Sequence, residues 1–110
     1  MNTGDFFIDV GAASEVAPGD VLAFRVRDRD FVVCNAAGTL YALADRCTHA
    51  AWSLAGSELR GCEIVCSLHG ARFDVRDGTA TAPPASKSLS TFPIRERNGR
   101  IEVQVAAPPR

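Results

Sequence analysis

Histidine is scarce in this 110-residue chain, which contains only two. With no third histidine to act as a base, and with no phosphate-binding or dinucleotide-binding glycine motif, the sequence offers no catalytic constellation. Net charge is −1, and no basic block with interleaved aromatic residues is present, which argues against nucleic-acid binding. We therefore expect a chain that is not an enzyme by itself.

Long apolar runs are also missing, because no stretch approaches the length needed to cross a bilayer. Residues 1–10 contain two acidic and no basic residues, unlike the start of a signal peptide. We expect a soluble cytoplasmic protein with no membrane segment. In a reducing compartment, the four cysteines are interpreted first as metal ligands or free thiols and only then as disulfides.

The pattern of apolar residues predicts strands and turns. Residues 22–26, 31–34 and 39–43 form three β-rich runs, which predicts a three-stranded meander. Turns are expected between these runs, at residues 28–30 and 37–38. No stretch has a persuasive helical period, so the fold class is predicted to be all-β with antiparallel sheets.

A second hairpin is predicted near the end of the chain. Residues 92–94 and 101–105 carry alternating apolar side chains on either side of Asn98-Gly99, and an Asn-Gly pair between such strands favours a two-residue turn. Further turns are expected at Pro18-Gly19 and Asp77-Gly78. At most a turn or two of helix is expected, around residues 50–54.

Two mixed pairs of cysteine and histidine stand out, Cys47-x-His49 and Cys66-x-x-His69, separated by sixteen residues. Each pair follows a predicted strand and lies in a loop. Two thiolates and two imidazoles can hold structural zinc, or a two-iron cluster with sulfur ligands on one iron and nitrogen ligands on the other. Zinc fingers usually pair Cys with Cys and His with His, so the mixed pairs favour the iron–sulfur cluster.

The motifs resemble those of bacterial Rieske-type ferredoxins, the small ferredoxin components of multicomponent aromatic-ring dioxygenases. The resemblance spans about residues 6–105 and rests on the following segments: Cys47-Thr48-His49, Cys66-Ser67-Leu68-His69-Gly70, Phe73-Asp74, Gly78 and Ala82-Pro83-Pro84. It implies one [2Fe–2S] cluster per chain, with Cys47 and Cys66 on one iron and His49 and His69 on the other. It also implies a single Rieske domain over residues 1–110, in which a cluster-binding part at about 45–84 is inserted into a β base.

The resemblance implies a soluble one-electron carrier. Its expected partners are a flavin-dependent NAD(P)H ferredoxin reductase and a terminal oxygenase with Rieske and mononuclear iron centres, and the carrier itself is expected to be a monomer. The alternatives are the Rieske-like small subunit of a nitrite reductase and a structural metal-binding module.

Four positions distinguish this sequence from respiratory Rieske proteins. Trp52 and Leu68 stand where those proteins have a pair of bridged cysteines, so that disulfide cannot form. Ala71 and Phe73 stand where they have a Ser and a Tyr whose hydroxyls bond to cluster sulfurs and raise the potential. We therefore expect a reduction potential at the low end of the Rieske range.

Two cysteines lack a histidine at matching spacing. Cys34 lies in an apolar run and is expected in the core, whereas Cys62 is expected in a turn. Charged residues around the ligand pairs are interpreted as docking charges or, more simply, as solvated surface: Asp45, Glu58, Glu63, Arg72 and Arg76.

Overall fold

The computed structural model describes residues 7–26, 29–45, 53–66, 70–82 and 88–104. Within these residues the chain forms eleven β-strands, a short 3-10 helix at Ala13–Glu15 and no α-helix. In chain order the strands are β1 (Ile8–Ala12), β2 (Val21–Val26), β3 (Arg29–Ala36), β4 (Thr39–Ala44), β5 (Glu58–Arg60), β6 (Glu63–Val65), β7 (Arg72–Asp74), β8 (Ala80–Ala82), β9 (Thr91–Phe92), β10 (Ile94–Arg97) and β11 (Arg100–Val103). The strand pairs are antiparallel. The predicted all-β class is confirmed.

The strands form three sheets. The terminal sheet has the order β1-β11-β10, the central sheet β2-β3-β4-β9, and the 58–82 sheet β5-β6-β7-β8. Strands β4 and β9 are neighbours in the central sheet although the 58–82 sheet separates them in sequence. The Ala44 N–H donates to the Ser90 carbonyl oxygen at 2.9 Å. The chain therefore leaves the central sheet and returns to it at adjacent positions.

Two tight hairpins set the register of the central and terminal sheets. Residues Ala37 and Gly38 join β3 to β4 with φ of 55° and 99°, and Asn98 and Gly99 join β10 to β11 with φ of 53° and 76°. Two successive positive φ angles match the twist of the flanking strands, which is why Asn and Gly are favoured there. Both turns, and the meander β2-β3-β4, are as the sequence predicts.

One core, which we call the base core, lies between the terminal and central sheets. Its fully buried members include Phe31, Val33, Ile101 and Val103. The alternation of β3 and β11 places these side chains on one face of each strand. The Phe31 ring stacks on Phe24 with centroids 5.7 Å apart, which adds a specific aromatic contact to the apolar burial.

A second core, which we call the site core, is built from the central sheet and the 58–82 sheet. Strand β3 supplies Val32 and Cys34 from its opposite face, and the 58–82 segment supplies Ile64, Cys66 and Phe73. Because β3 contributes to both cores, its residues 31–36 are all buried. A strand covered on both faces is typically a continuous apolar run, as residues 31–34 are here, and the polar residue that follows, Asn35, is buried with its side-chain amide donating to the Val16 carbonyl oxygen at 2.8 Å.

The predicted turn at residues 28–30 is wrong for its last two residues. Arg29 and Asp30 begin β3 and pair with Val26 and Arg25, and the Arg25 and Asp30 side chains approach to 3.7 Å. Opposite charges across the strands extend the ladder further toward the turn. Residues 27–28 lie outside the described residues, as do Val105 and the tail that follows it.

Ser53 and Leu54 are the described part of the predicted helical turn at 50–54, and neither is helical. No helix formed by the described residues has the length and apolarity required for a bilayer crossing.

Candidate metal centre

Of the four predicted ligands, the structure describes Cys66. Cys47, His49 and His69 lie outside the described residues, as do Trp52 and Leu68. What the structure describes is the framework from which the ligand segments start and to which they return: residues 45 and 53 around the first, 66 and 70 around the second, and 82 and 88 around the stretch that contains Pro83 and Pro84.

Cys66 directly follows β6, whose apolar run Ile64-Val65 leads into it as the sequence predicts. Its side chain is fully buried in the site core. The Cys66 N–H donates to the Ala71 carbonyl oxygen at 2.7 Å, and the Gly70 N–H donates to the Cys66 carbonyl oxygen at 3.0 Å. These two bonds fix the end of β6 against the start of β7.

Asp45 joins the two ends of the first ligand segment. Its carboxylate accepts hydrogen bonds from the Ser53 hydroxyl, at 2.9 and 3.0 Å to its two oxygens, and from the Leu54 N–H at 2.7 Å. Leu54 is fully buried in the site core. An acidic residue that the sequence left as a docking or solubility charge therefore has a structural contact beside the predicted ligand segment.

Gly78 makes the corresponding contact next to the third stretch. The Gly78 carbonyl oxygen accepts from the Leu89 N–H at 2.7 Å, and the Gly78 N–H donates to the Asp74 carbonyl oxygen at 2.7 Å. A β-carbon at this position would overlap the Leu89 carbonyl oxygen. The absence of a side chain, together with a φ of 82°, lets the chain after residues 83–87 lie directly against the β7–β8 turn.

Cys66 belongs to a core of buried apolar residues. Ala71 and Phe73 are fully buried in the same core as Cys66, together with Leu54 and Ile64. None of these side chains carries a hydroxyl, and burial of this kind excludes water from the sulfur. A donor set of two thiolates and two imidazoles, with one thiol held at a strand end among apolar side chains, fits a [2Fe–2S] cluster with mixed ligands.

Both arginines that flank the second ligand pair have acidic partners. Arg76 forms a bidentate contact with Asp74, at 3.0 and 2.7 Å, and Arg72 lies 3.7 Å from Glu63. The hydrogen bonds from Arg76 hold the pKa of Asp74 below its usual value, and Asp74 raises the pKa of Arg76. Such exposed pairs contribute little stability, and they leave these arginines as neutralised surface residues.

The two remaining cysteines lie where the sequence predicts. Cys34 is fully buried in the site core, and Cys62 lies half-buried in the Gly61-Cys62 turn between β5 and β6. Burial raises the pKa of the Cys34 thiol to about 12. No three His, Cys, Asp or Glu residues converge on a metal-sized site within the described parts of the chain.

Two structural contacts of this framework were not predicted from the sequence: the hydrogen bonds of Asp45 to Ser53 and Leu54, and the backbone contact of Gly78 with Leu89. For Asp45 the partners Ser53 and Leu54 lie eight and nine positions further along the chain, beyond the reach of a local Asx motif. For Gly78 the turn was predicted, but the contact with Leu89 depends on the tertiary fold.

Comparison with known proteins covers most of the chain. The family model of the Rieske [2Fe–2S] domain matches residues 6–93. The ferredoxin component of the naphthalene 1,2-dioxygenase system of Pseudomonas putida is 32% identical over 100 residues, which cover 91% of this chain and 96% of that protein.

Solved structures agree with this family. The ferredoxin of carbazole 1,9a-dioxygenase from Nocardioides aromaticivorans superposes with a TM-score of 0.85 at 29% identity, covering 90% of this chain and 97% of that chain. A complex of reduced oxygenase and oxidised ferredoxin in carbazole 1,9a-dioxygenase contains a chain that superposes with a TM-score of 0.86 at 29% identity, with coverage of 96% and 98%. This chain belongs to the Rieske [2Fe–2S] domain family.

Proposed function

We propose that this chain is a one-electron carrier that serves a terminal ring-hydroxylating oxygenase. The observation that carries the proposal is the match, over nine-tenths of the chain, to a protein that is itself a ferredoxin component of a dioxygenase system. Its structural neighbour in the carbazole system is seen together with its oxygenase. The chain is an electron-transfer component and not the catalyst of the oxygenation.

The cofactor is one [2Fe–2S] cluster, and when bound it supplies a site that takes up and gives back a single electron. We assign Cys47 and Cys66 to one iron and His49 and His69 to the other. Of these, Cys66 has described surroundings, and its burial keeps water from the sulfur. The assignment of the other three rests on the sequence motif.

The protein's own residues favour a low potential. Buried Ala71 and Phe73 present no hydroxyl donor at the positions where respiratory relatives carry Ser and Tyr. Hydrogen bonds to cluster sulfurs stabilise the more negative, reduced state. Without those two donors, we propose a potential low in the Rieske range, suited to transfer from a flavin to an oxygenase.

Three further assignments complete the proposal. The electron donor is a flavin-containing, NAD(P)H-dependent reductase, and the carrier works as a cytoplasmic monomer. The cluster-binding part covers about residues 45–84 and is inserted in a β base. The described topology supports this division, because β4 and β9 are adjacent in the central sheet on either side of it.

The test has a spectroscopic and a functional part. The purified protein should show the absorption and EPR spectra of a Rieske cluster, accept one electron per chain, and be reoxidised by a terminal oxygenase with substrate. A colourless, zinc-containing protein would contradict the cofactor, and a reducible protein that passes electrons to no oxygenase would contradict the carrier role.

The ligand assignment has its own test. Replacing His49 or His69 by Ala should abolish the Rieske EPR signal, because each imidazole is one of only two nitrogen ligands. Arg72→Ala, at a neighbouring surface position, is the control and should keep the signal. An unchanged signal in either histidine variant would show that the ligands are misassigned.

A further inference from the structure

One carboxylate links the entry and the exit of the first ligand segment. Asp45 is the residue after β4, and its partners Ser53 and Leu54 are the first described residues beyond the segment 46–52. Three contacts of 2.7 to 3.0 Å join them. The Ser53 hydroxyl also accepts from the Ala55 N–H at 3.1 Å, so its proton is directed to Asp45.

Both ends of this link are themselves attached to the rest of the fold. The Asp45 N–H donates to the Asp30 carbonyl oxygen at 3.1 Å, which ties the entry to β3 of the central sheet. On the exit side, Leu54 is fully buried, and its carbonyl oxygen accepts from the Ser57 N–H at 3.1 Å. The Asp45 carboxylate therefore sets the distance between residue 45 and residues 53–54, each of which is attached to a different part of the fold.

We propose that Asp45 is a positioning residue for the metal centre. By holding Ser53 and Leu54 against the end of β4, it fixes the start and end points of the segment that carries Cys47 and His49. The inference rests on the proposed function, since it takes those two residues as ligands. When the ends of a short segment are already fixed, its ligands have less conformational entropy to lose when they bind metal, and metal binding is therefore more favourable.

The chain offers a matched control in Asp20. Its carboxylate also accepts a backbone N–H, from Ala17 at 3.1 Å, but it closes a turn that leads into β2. Asp45→Ala removes all three contacts. Asp45→Asn retains an oxygen for the Leu54 N–H, and Ser53→Ala removes only the hydroxyl. Together with Asp20→Ala these form a graded series.

Three measurements on the iron-loaded proteins test the proposal: the rate of iron loss to a chelator, hydrogen exchange at the Leu54 amide, and the EPR spectrum of the reduced form. Because a charge-assisted hydrogen bond holds the exit in place, Asp45→Ala should lose iron about tenfold faster or more, and exchange the Leu54 amide faster by a similar factor. Its EPR spectrum should shift, Asp45→Asn and Ser53→Ala should be intermediate, and Asp20→Ala should match wild type in all three measurements.

Two outcomes would overturn the inference alone: wild-type behaviour of Asp45→Ala within about twofold, or equal acceleration by Asp20→Ala, which would indicate a general loss of stability. If Asp45→Ala does not fold, the same three measurements on Ser53→Ala test the inference, and wild-type behaviour of that variant would overturn it. A wild-type protein that holds no cluster would overturn the proposed function, and this inference with it.

Discussion

At the scale of single residues, the buried Cys34 thiol links stability to pH. Loss of hydration raises its pKa from 9.0 to about 12, so the folded chain holds this proton more tightly than the unfolded chain does. The resulting stabilisation is complete below pH 9 and is lost as the pH rises toward the folded value. This thiol stays protonated at neutral pH, which also makes it unreactive.

The first prediction concerns that thiol. Between about pH 8 and about pH 10, wild type should lose roughly 1 kcal/mol more stability than Cys34→Ala, because the variant has no proton to release at this site. Denaturant unfolding at the two pH values measures the difference. The other cysteines and both histidines are present in both proteins, so their contributions to the pH dependence of stability cancel in the comparison. If both proteins lost the same unfolding free energy between the two pH values, the raised pKa of Cys34 would be contradicted.

Ala71 gives a second prediction at this scale. Its side chain is fully buried in the site core, which also contains Cys66. Ala71→Ser adds a hydroxyl of nearly the same volume, and a hydrogen bond to a cluster sulfur should raise the reduction potential. Voltammetry of the two proteins measures the shift, and Ala42→Ser, buried in the base core, is the control. If the hydroxyl added by Ala71→Ser bonds to a cluster sulfur and the potential does not rise, the account of the low potential is contradicted.

At the scale of elements, close packing against backbone decides which turns tolerate a side chain. Gly78 and Gly38 both have positive φ, 82° and 99°. A β-carbon at Gly78 would overlap the Leu89 carbonyl oxygen, whereas at Gly38 it would meet no atom within 4 Å. The β7–β8 turn is therefore constrained by its neighbour, and the β3–β4 turn only by its own backbone.

This comparison yields the third prediction. Gly78→Ala should destabilise the protein by about 3 kcal/mol, because backbone overlap adds to the strain of a positive φ. Gly38→Ala should cost about 1 kcal/mol, from backbone strain alone. Thermal or denaturant unfolding of both variants measures these costs. Equal costs would indicate that the Leu89 contact relaxes freely.

At the scale of the whole molecule, the two cores differ in what they depend on. The base core draws its buried members from the central and terminal sheets and the segment between β1 and β2, without residues of the 58–82 sheet. The site core contains Cys66 itself and most of the buried residues of the 58–82 sheet. A cluster bound at Cys66 should therefore stabilise the site core directly. It should stabilise the base core only through the central sheet, whose strands β3 and β4 contribute buried residues to both cores.

The fourth prediction follows from this division. After removal of iron by a chelator, hydrogen exchange should accelerate strongly at amides of the 58–82 sheet such as Ile64 and Phe73. Amides of the base core, such as Val33 and Ile101, should keep most of their protection. Exchange followed by mass spectrometry on both forms measures this. Uniform acceleration across the chain would show that the two cores unfold as one unit.

How much the sequence predicts depends on whether the signal is local. The strand at Ile64-Val65, the buried alternation of Ile101 and Val103, and the Asn98-Gly99 turn were all predicted, because each is encoded by a few neighbouring residues. Strands β1, β5 and β8 were missed. Strand β1 pairs with β11, near the other end of the chain. Strands β5 and β8 have three residues each with no clear apolar alternation, and pairing with β6 and β7 stabilises them.

The same distinction holds for the metal centre. The position of Cys66 at the end of a strand was predictable, since the apolar run precedes it directly. The contact of Asp45 with Leu54 spans nine positions, and that of Gly78 with Leu89 joins a turn to a distant segment. Both depend on how the central sheet and the 58–82 sheet are arranged, which no short motif specifies.

The adjacency of β4 and β9 makes this fold suited to grafting. The chain departs after Ala44 and rejoins at Ser90, and one hydrogen bond of 2.9 Å connects the two points. A stretch that begins and ends at neighbouring strands can be exchanged for the counterpart from a relative without changing the spacing of the recipient strands. In a chimaera joined there, the donor's stretch would set the reduction potential, and this chain would supply the remaining strands. The potential could then be changed without changing those strands.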